Sequence, residues 1–225
     1  MPKPRRVFST LAVVAALVAA CSRASSAAPQ SDSQTRPSVA YVPGNSYLSA
    51  NGYVEYIAGN APVILTAPHG GSLMPASIPN RMAERCGGSV TTTTDVNTIE
   101  LARAMQARYF ARFGKYPHVI IAHISRRKLD ANRTEPEATC DNDEAEAALR
   151  AWEAFIDAAK RAVLQSFGKG WYMDVHGHGH RIQRLEIAYL IASSDLQLSD
   201  ARLNADPELT NAASIATIVK ESSLP

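Results

Sequence analysis

The stretch APVILTAPHGG, residues 61–71, is a continuous apolar run that ends in proline, histidine and two glycines. Such a run, closed by turn residues, is typical of a strand buried on both faces of a parallel sheet. The apolar runs PHVIIAHI (117–124) and WYMDVH (171–176) follow it. Patterns with helical period lie between these runs, over residues 95–113 and 143–167. This alternation predicts an α/β fold of three layers, with a mainly parallel or mixed central sheet and helices on both faces.

Three further elements complete the predicted fold. GYVEYIAG (52–59) alternates as a half-buried strand does, and RLEIAYLIA (184–192) predicts a strand after the third apolar run. Residues 206–225 have the pattern of a helix that reaches the end of the chain.

The two long helices carry specific expectations. The first is predicted to begin at a capping pair, Asn97 and Glu100. Its buried stripe is predicted to contain Leu101, Met105 and Tyr109. The apolar side of the second is predicted to comprise Trp152, Phe155, Ile156, Ala159, Val163 and Leu164.

The first 20 residues have the organisation of an export signal. Basic MPKPRR is followed by an apolar segment and then by Cys21. VAAC (18–21) resembles a bacterial lipobox, in which the cysteine receives a lipid, whereas a plain secretory signal is the alternative. We therefore expect a signal peptide at 1–20, a disordered tether at 21–45 and one domain at 46–225. The protein would be exported and anchored through lipid on Cys21 in the bacterial cell envelope, at the outer membrane or in the periplasm.

The formal net charge of the chain is +2, and three of its cations lie in residues 1–20, so the rest carries −1. No nucleic-acid partner is expected from this charge. Cys86 and Cys140 remain besides Cys21, and an oxidising compartment permits them to pair.

Polar clusters follow the ends of the three apolar runs, where ligands collect in parallel sheets. His69 and His176 lie in two of these clusters. Two histidines and one carboxylate, with an open position for water, form a hydrolytic zinc site, so Zn²⁺ is the expected cofactor. Asp95 and Asp174 are both candidates for the carboxylate. Asp174 could instead orient a histidine, and Asp95 could instead stabilise a helix N-terminus.

The loop SRRKLDANR (125–133) is dense in charge. Arg126, Asn132 and Arg133 are candidates for binding a substrate carboxylate, because guanidinium and amide groups suit that anion. Asp130 is expected to brace one of the arginines. Arg126 is also a candidate for stabilising an oxyanion.

Glu186 is the candidate general base that activates water. A serine hydrolase is disfavoured because no GxSxG motif is present, which leaves Ser72 a weak nucleophile candidate. His178 and His180 are interpreted mainly as a mobile polar loop with nonspecific metal affinity. His118 and His123 are interpreted as core histidines.

Four motifs together resemble the N-formylglutamate amidohydrolase family, whose fold is similar to that of the zinc carboxypeptidases. They are APHGG, Thr94-Asp95 at a helix start, SRRKLDANR and DVHGH (174–178). The resemblance covers about residues 60–190, and SRRKLDANR is its most specific part.

The resemblance implies three zinc ligands, His69, His176 and Asp95. It also implies that Arg126, Asn132 and Arg133 bind a substrate carboxylate. The implied reaction is hydrolysis of an amide C–N bond in a formylated or otherwise acylated amino acid.

Some features depart from the family pattern. Ser72 stands where the HxxE pattern of zinc carboxypeptidases has its glutamate, which disfavours peptidase activity. HGHGH (176–180) is richer in histidine than usual. Members of the family commonly run longer, which is consistent with a domain truncated at its C-terminus.

The sequence thus predicts an enzyme, a zinc-dependent amidohydrolase acting on a small N-acyl amino acid with a free carboxylate. Two alternatives stay open. One is a zinc carboxypeptidase-like hydrolase of envelope peptides, and the other is a non-catalytic lipoprotein that binds a metal or a substrate.

Overall fold

A computed structural model describes residues 40–182, 184–187 and 190–221 of the chain. The fold below belongs to the unit that begins at Tyr41. The predicted signal peptide at 1–20, the lipidation site Cys21 and the tether up to residue 39 lie outside the described residues. Residues 41–45, predicted as the end of the tether, belong to the folded unit instead, since Tyr41 packs against its core and Gly44 donates to the carbonyl of Ala58.

Five strands form one mixed sheet in the order β1-β2-β4-β3-β5. They are β1 (Ser46–Leu48), β2 (Val54–Ile57), β3 (Val63–Ala67), β4 (His118–Ala122) and β5 (Trp171–Asp174). β3 pairs in parallel with β4 and with β5, whereas β2 pairs antiparallel with β1 and β4. β3 and β4 are buried almost throughout, which is why they appear in the sequence as unbroken apolar runs. The predicted α/β class with a mixed sheet is confirmed.

Six α-helices are found among the described residues. They are α1 (Ala83–Cys86), α2 (Thr98–Phe113), α3 (Asp143–Phe167), α4 (Asp200–Ala205), α5 (Pro207–Ala212) and α6 (Ala216–Glu221), with a 3-10 turn at Asp195–Gln197. None of these described helices has the length and apolar character needed to cross a membrane.

The two long helices pack on opposite faces of the sheet, because side chains alternate along each strand. Ile120 and Ala122 of β4 share a core with Trp152 and Val163 of α3. The intervening residues of β4, Val119 and Ile121, share a second core with Ala102 of α2. Helices therefore cover both faces of the sheet, as predicted.

Helix α3 matches its predicted bounds at both ends. The side chain of Asn142 accepts a hydrogen bond from the backbone N–H of Ala145 at the start, and Gly168 ends the helix in the left-handed conformation. Trp152, Ala159 and Val163 are buried as predicted, whereas Leu164 is exposed.

The expectations for the first long helix are wrong in two respects. Asn97 has a φ of 66° and makes no side-chain cap, and α2 begins at Thr98. Thr98 and Ala102 are the buried residues of α2, and Leu101 of the predicted stripe is 45 % exposed, whereas Met105 is partly buried against the second core. A Cβ on Gly70 would lie 2.5 Å from Oγ1 of Thr98, so the helix start approaches the loop after β3 too closely for large side chains.

The C-terminal expectations are also corrected. No strand is present in the described part of 184–192, which comprises residues 184–187 and 190–192. The helix predicted over 206–225 is broken between α5 and α6, and residues 222–225 lie outside the described residues. Arg184, Leu185 and Ile187 are exposed, so this stretch lacks the burial that stabilises a strand.

His118 and His123, the two histidines predicted to lie in the core, have different surroundings. His118 is 2 % exposed, and its Nδ1 lies 2.8 Å from the hydroxyl of Tyr56 and accepts the backbone N–H of Gly59. Burial lowers the pKa of His118 to about 4, so this ring is neutral at physiological pH. His123 is partly exposed and contacts Glu55 instead.

Cys86 at the end of α1 forms a disulfide with Cys140, which precedes α3. The bond joins positions 54 residues apart in the sequence. It therefore restrains a long loop of the unfolded chain.

Replacing both cysteines by serine is expected to lower the free energy of unfolding by about 4 kcal/mol, the entropic value for a loop of this length. Urea unfolding of the full chain, with and without the substitutions, measures the change. An unchanged unfolding midpoint would show that the crosslink does not restrain the unfolded state.

Glu55 of β2 is a buried carboxylate with three partners. Nε2 of His123 lies 2.7 Å from its Oε2, Arg103 of α2 donates to the same oxygen, and Ser46 of β1 donates to Oε1. The hydrogen bond from His123, together with those from Ser46 and Arg103, outweighs burial and lowers the pKa of Glu55 to about 2. The ionised carboxylate on β2 thus links the edge strand β1 to α2.

Because the pKa of Glu55 is lower in the folded protein than its ordinary value of 4.5, its stabilisation is complete above pH 4.5 and is lost as the pH falls towards 2. Glu55→Gln is expected to reduce the slope of unfolding free energy against pH in this window by up to about 1.4 kcal/mol per pH unit. Denaturant unfolding at several pH values tests this, with the exposed Glu153→Gln as the control. Equal slopes in both variants would contradict it.

Candidate metal centre

The candidate site lies at the carboxyl ends of the adjacent parallel strands β3 and β5. In their register, Thr66 is opposite Asp174. His69 follows Thr66 by three positions, and His176 follows Asp174 by two. The two imidazole rings consequently lie close together, with centroids 5.0 Å apart.

Three donor atoms converge here. Nδ1 of His69 lies 3.2 Å from Nδ1 of His176 and 3.5 Å from Oδ2 of Asp95. Nδ1 of His176 lies 3.0 Å from the same oxygen of Asp95. The backbone N–H of Gly177 also donates to that oxygen, and the backbone N–H of Asp95 donates to the carbonyl of His69. These bonds hold Asp95 against both histidine loops, and its carboxylate caps no helix.

Asp130 determines the orientation of His69. Its Oδ1 lies 2.7 Å from Nε2 of His69, and both side chains are only 1 % exposed. Burial alone raises the pKa of Asp130, but the hydrogen bond from His69 and the charge of Arg126 hold that pKa well below its ordinary value. An ionised carboxylate only accepts, so Nε2 of His69 donates this hydrogen bond and Nδ1 is the nitrogen that faces Asp95 and His176.

The spacing of the three donors fits a tetrahedral metal. Zinc bonds of about 2.0–2.1 Å at tetrahedral angles separate ligand atoms by roughly 3.3–3.4 Å. The measured separations are 3.0, 3.2 and 3.5 Å. Lone pairs at these distances repel unless a proton or a metal cation lies between them. His69, Asp95 and His176 could therefore hold a metal ion.

The second candidate carboxylate, Asp174, has other partners. Its Oδ1 accepts hydrogen bonds from Thr66 and Tyr172, and its Oδ2 accepts one from Nδ2 of Asn132 at 3.3 Å. Nδ2 of Asn132 also lies 3.2 Å from Nε2 of His176. Asp174 is thus joined to His176 through Asn132 and is not one of the three converging donors.

The loop after β4 supplies the predicted anion-binding residues. Nε of Arg126 donates to Oδ2 of Asp130 at 3.0 Å, and its NH1 lies 3.9 Å from Oδ1 of Asp95. Arg133 is about half exposed, and it contacts Glu137 and the carbonyl of Asn132. The structure therefore brings Arg126 and Asn132 to the centre, whereas the contacts of Arg133 are with Glu137 and the backbone of Asn132.

Two features of this loop were not found from the sequence. Asp130 was expected only to brace an arginine, and its hydrogen bond to His69 spans 61 positions of sequence. Arg81 is buried and donates to the carbonyls of Thr91, Arg126 and Glu137. It fixes the loop backbone, and no motif around it indicated this role.

Glu186 does not contact the centre among the described residues. Its partners are Nδ1 of His180, at 2.9 Å from both carboxylate oxygens, and Nε of Arg184 at 2.8 Å. The hydrogen bonds from His180 and Arg184 lower the pKa of Glu186 to about 2. A carboxylate with so low a pKa is a weak proton acceptor. The role of Glu186 as general base stays a prediction.

Gly71, in the loop that carries His69, is required by close packing. A Cβ there would lie 2.3–2.5 Å from backbone atoms of His123 and Ala122. A Cβ on Gly88 would meet nothing within 4 Å.

Gly71→Ala is expected to lower the free energy of unfolding by about 1–3 kcal/mol, because backbone must move to admit the methyl group. The matched control Gly88→Ala is expected to change it by less than about 0.5 kcal/mol. Urea unfolding compares the two, and a similar effect for both would contradict the packing argument.

Comparisons with protein-family models, with curated proteins and with solved structures found no match to this chain.

Proposed function

We propose that this chain is a zinc-dependent amidohydrolase that cleaves the amide bond of a small N-acyl amino acid bearing a free carboxylate. N-formylglutamate is the representative substrate, after the motif resemblance. We also propose a zinc-carboxypeptidase-like fold and an exported protein anchored through lipid on Cys21.

One observation carries the proposal. Nδ1 of His69, Nδ1 of His176 and Oδ2 of Asp95 lie 3.0–3.5 Å apart. Two imidazoles and one carboxylate are the donor set of hydrolytic zinc sites, which keep a fourth position for water. Mn²⁺, Fe²⁺ and Co²⁺ accept the same donors, so the preference for zinc rests on the tetrahedral spacing.

Zinc bound by these residues would polarise a carbonyl and lower the pKa of water. The protein's own side chains would orient the ligands and stabilise the developing charge. Asp130 holds His69 in the tautomer that binds a metal, and Asn132 contacts His176. Arg126 is fixed by Asp130 and lies beside Asp95, where its cation would stabilise negative charge developing on the substrate carbonyl oxygen.

The substrate carboxylate is assigned to Arg133 and Asn132 at the rim. Arg133 is only partly engaged, since its Nε lies 3.9 Å from the exposed Glu137. Surface ion pairs of this length are weak, so a substrate carboxylate can displace Glu137. A bidentate contact with guanidinium would then select substrates with a free carboxylate.

The test is metal content and hydrolysis of N-formylglutamate by the purified full chain, prepared without a histidine tag. We expect zinc-dependent release of formate, with both metal at this centre and turnover lost in the double variant His69→Ala/His176→Ala. Arg133→Gln should raise KM for N-formylglutamate about tenfold or more with a smaller effect on kcat, whereas the exposed control Arg150→Gln should change neither.

Other outcomes distinguish the alternatives. Cleavage of peptides but not of N-formyl amino acids would favour a carboxypeptidase-like enzyme. Zinc bound by His69 and His176 without hydrolysis of either class would favour a metal-binding lipoprotein. Absence of metal at His69 and His176 after incubation with zinc would refute the proposal.

A further inference from the structure

The HGHGH segment continues past His176 into a second cluster of metal-ligating side chains. His178, His180 and Glu186 each offer a ligand atom, and these atoms lie within 4.8 Å of one another. All three residues are exposed, and the rings of His178 and His180 are 5.0 Å apart. None of the three belongs to the set formed by His69, Asp95 and His176.

We propose that His178, His180 and Glu186 form a second, solvent-facing site for a divalent transition metal. This inference is independent of the proposed hydrolytic function. It gives Glu186 the role of a metal ligand instead of the general base that the sequence predicted.

The hydrogen bonds of His178 determine which of its ring nitrogens can bind a metal. Nε2 of His178 lies 2.8 Å from the backbone carbonyl of Arg184, which can only accept, so Nε2 of the neutral ring carries the proton. Nδ1 then has one lone pair, which accepts the backbone N–H of His180 at 3.2 Å, so a metal bound at Nδ1 would replace this hydrogen bond. A backbone carbonyl that holds one ring nitrogen while the other faces a metal is a common arrangement for histidine ligands.

His180 and Glu186 already have the spacing of neighbouring ligands. Nδ1 of His180 lies 2.9 Å from both carboxylate oxygens, so one proton now occupies the position between nitrogen and oxygen. A divalent cation can replace that proton, with larger charge and with His178 as a third ligand.

The composition of the site indicates which metals it takes. Two imidazoles and one carboxylate suit Zn²⁺, Ni²⁺ and Cu²⁺, with Cu²⁺ binding most tightly. Gly177 and Gly179 separate the histidines, and a Cβ at Gly179 would meet nothing within 4 Å. A chain this open must become ordered on binding, so we expect weaker zinc binding here than at His69, Asp95 and His176.

The side chain of Arg184 competes with a metal for Glu186 at the second site. Its Nε donates to Oε1 of Glu186 at 2.8 Å, so the guanidinium competes for the carboxylate that a cation would bind. Arg184→Gln removes that competition and keeps the backbone carbonyl that holds His178. This substitution should strengthen metal binding at the second site, which a merely nonspecific affinity of histidine would not show.

The experiment is calorimetric titration of the purified full chain, without a histidine tag, with Zn²⁺ and separately with Cu²⁺. We expect two binding events in the unmodified chain and only the weaker zinc event in His69→Ala/His176→Ala. His178→Ala/His180→Ala should keep the tighter event and lose the weaker one. Arg184→Gln should increase the affinity of the weaker event, with Arg150→Gln unchanged as the control.

Two results would overturn the inference. One is a second binding event that persists in His178→Ala/His180→Ala. The other is Glu186→Gln that binds two metal equivalents with unchanged affinity but loses hydrolysis, because that outcome assigns Glu186 to catalysis. If Glu186 is a ligand, Glu186→Gln should lower the metal affinity of the second site by more than about 10–100-fold. That range is the cost of removing a residue that only hydrogen-bonds to a ligand. A single event that disappears in His178→Ala/His180→Ala and persists in His69→Ala/His176→Ala would support this site while refuting the hydrolytic centre.

Discussion

Parallel pairing between β3 and β5 is the constraint on which the candidate centre depends. The strands are distant in sequence, yet their register places Thr66 opposite Asp174 and so brings His69 and His176 to the same edge of the sheet. A slip of one residue would turn each side chain to the opposite face of the sheet. Since β3 is buried between β4 and β5, its register is strongly specified by the two cores on either face.

The buried carboxylate of Asp130, which contacts His69 after β3, is stabilised by several partners at once. Asp130 is 1 % exposed and contacts His69, Arg126 and Arg81. An isolated carboxylate at such a position would be very costly, whereas one with several cationic or polar donors is tolerated. The network also explains why the loop 125–133 is ordered although it is rich in charge. Asp130 orients a histidine, Arg126 contacts Asp130, and the exposed residues of the loop are Arg127 and Arg133.

The sequence was sufficient for the central strands and for α3, because burial on both faces and helical periodicity leave strong apolar patterns. It also brought His69 and His176 together as candidates, since parallel strands end at one edge. Asp95 was one of two candidate carboxylates, and the motif resemblance favoured it over Asp174. For α2 the sequence predicted the helix and the inward side of Met105, but not the burial of Thr98 and Ala102, where the helix start lies close to Gly70. It also did not predict β1, because its three residues are mostly exposed and are too few to show an alternation of apolar and polar side chains.

Contacts between residues that are distant in the sequence could not be predicted from local sequence patterns. The bond between His69 and Asp130 is non-local, and the strand expected around Glu186 is not formed in the described residues. An apolar pattern alone cannot tell whether a neighbouring strand is available to pair with it.

The disulfide has a consequence for how the centre opens. Cys86 precedes Asp95 by nine positions, and Cys140 follows Asp130 by ten. The crosslink therefore ties the segment that carries the candidate carboxylate ligand to the segment that orients His69. Local opening in this part of the protein must move both segments as one cooperative unit, so hydrogen exchange in the two segments becomes coupled. Reduction would uncouple them, and partly assembled states of the donor set would then become accessible without global unfolding.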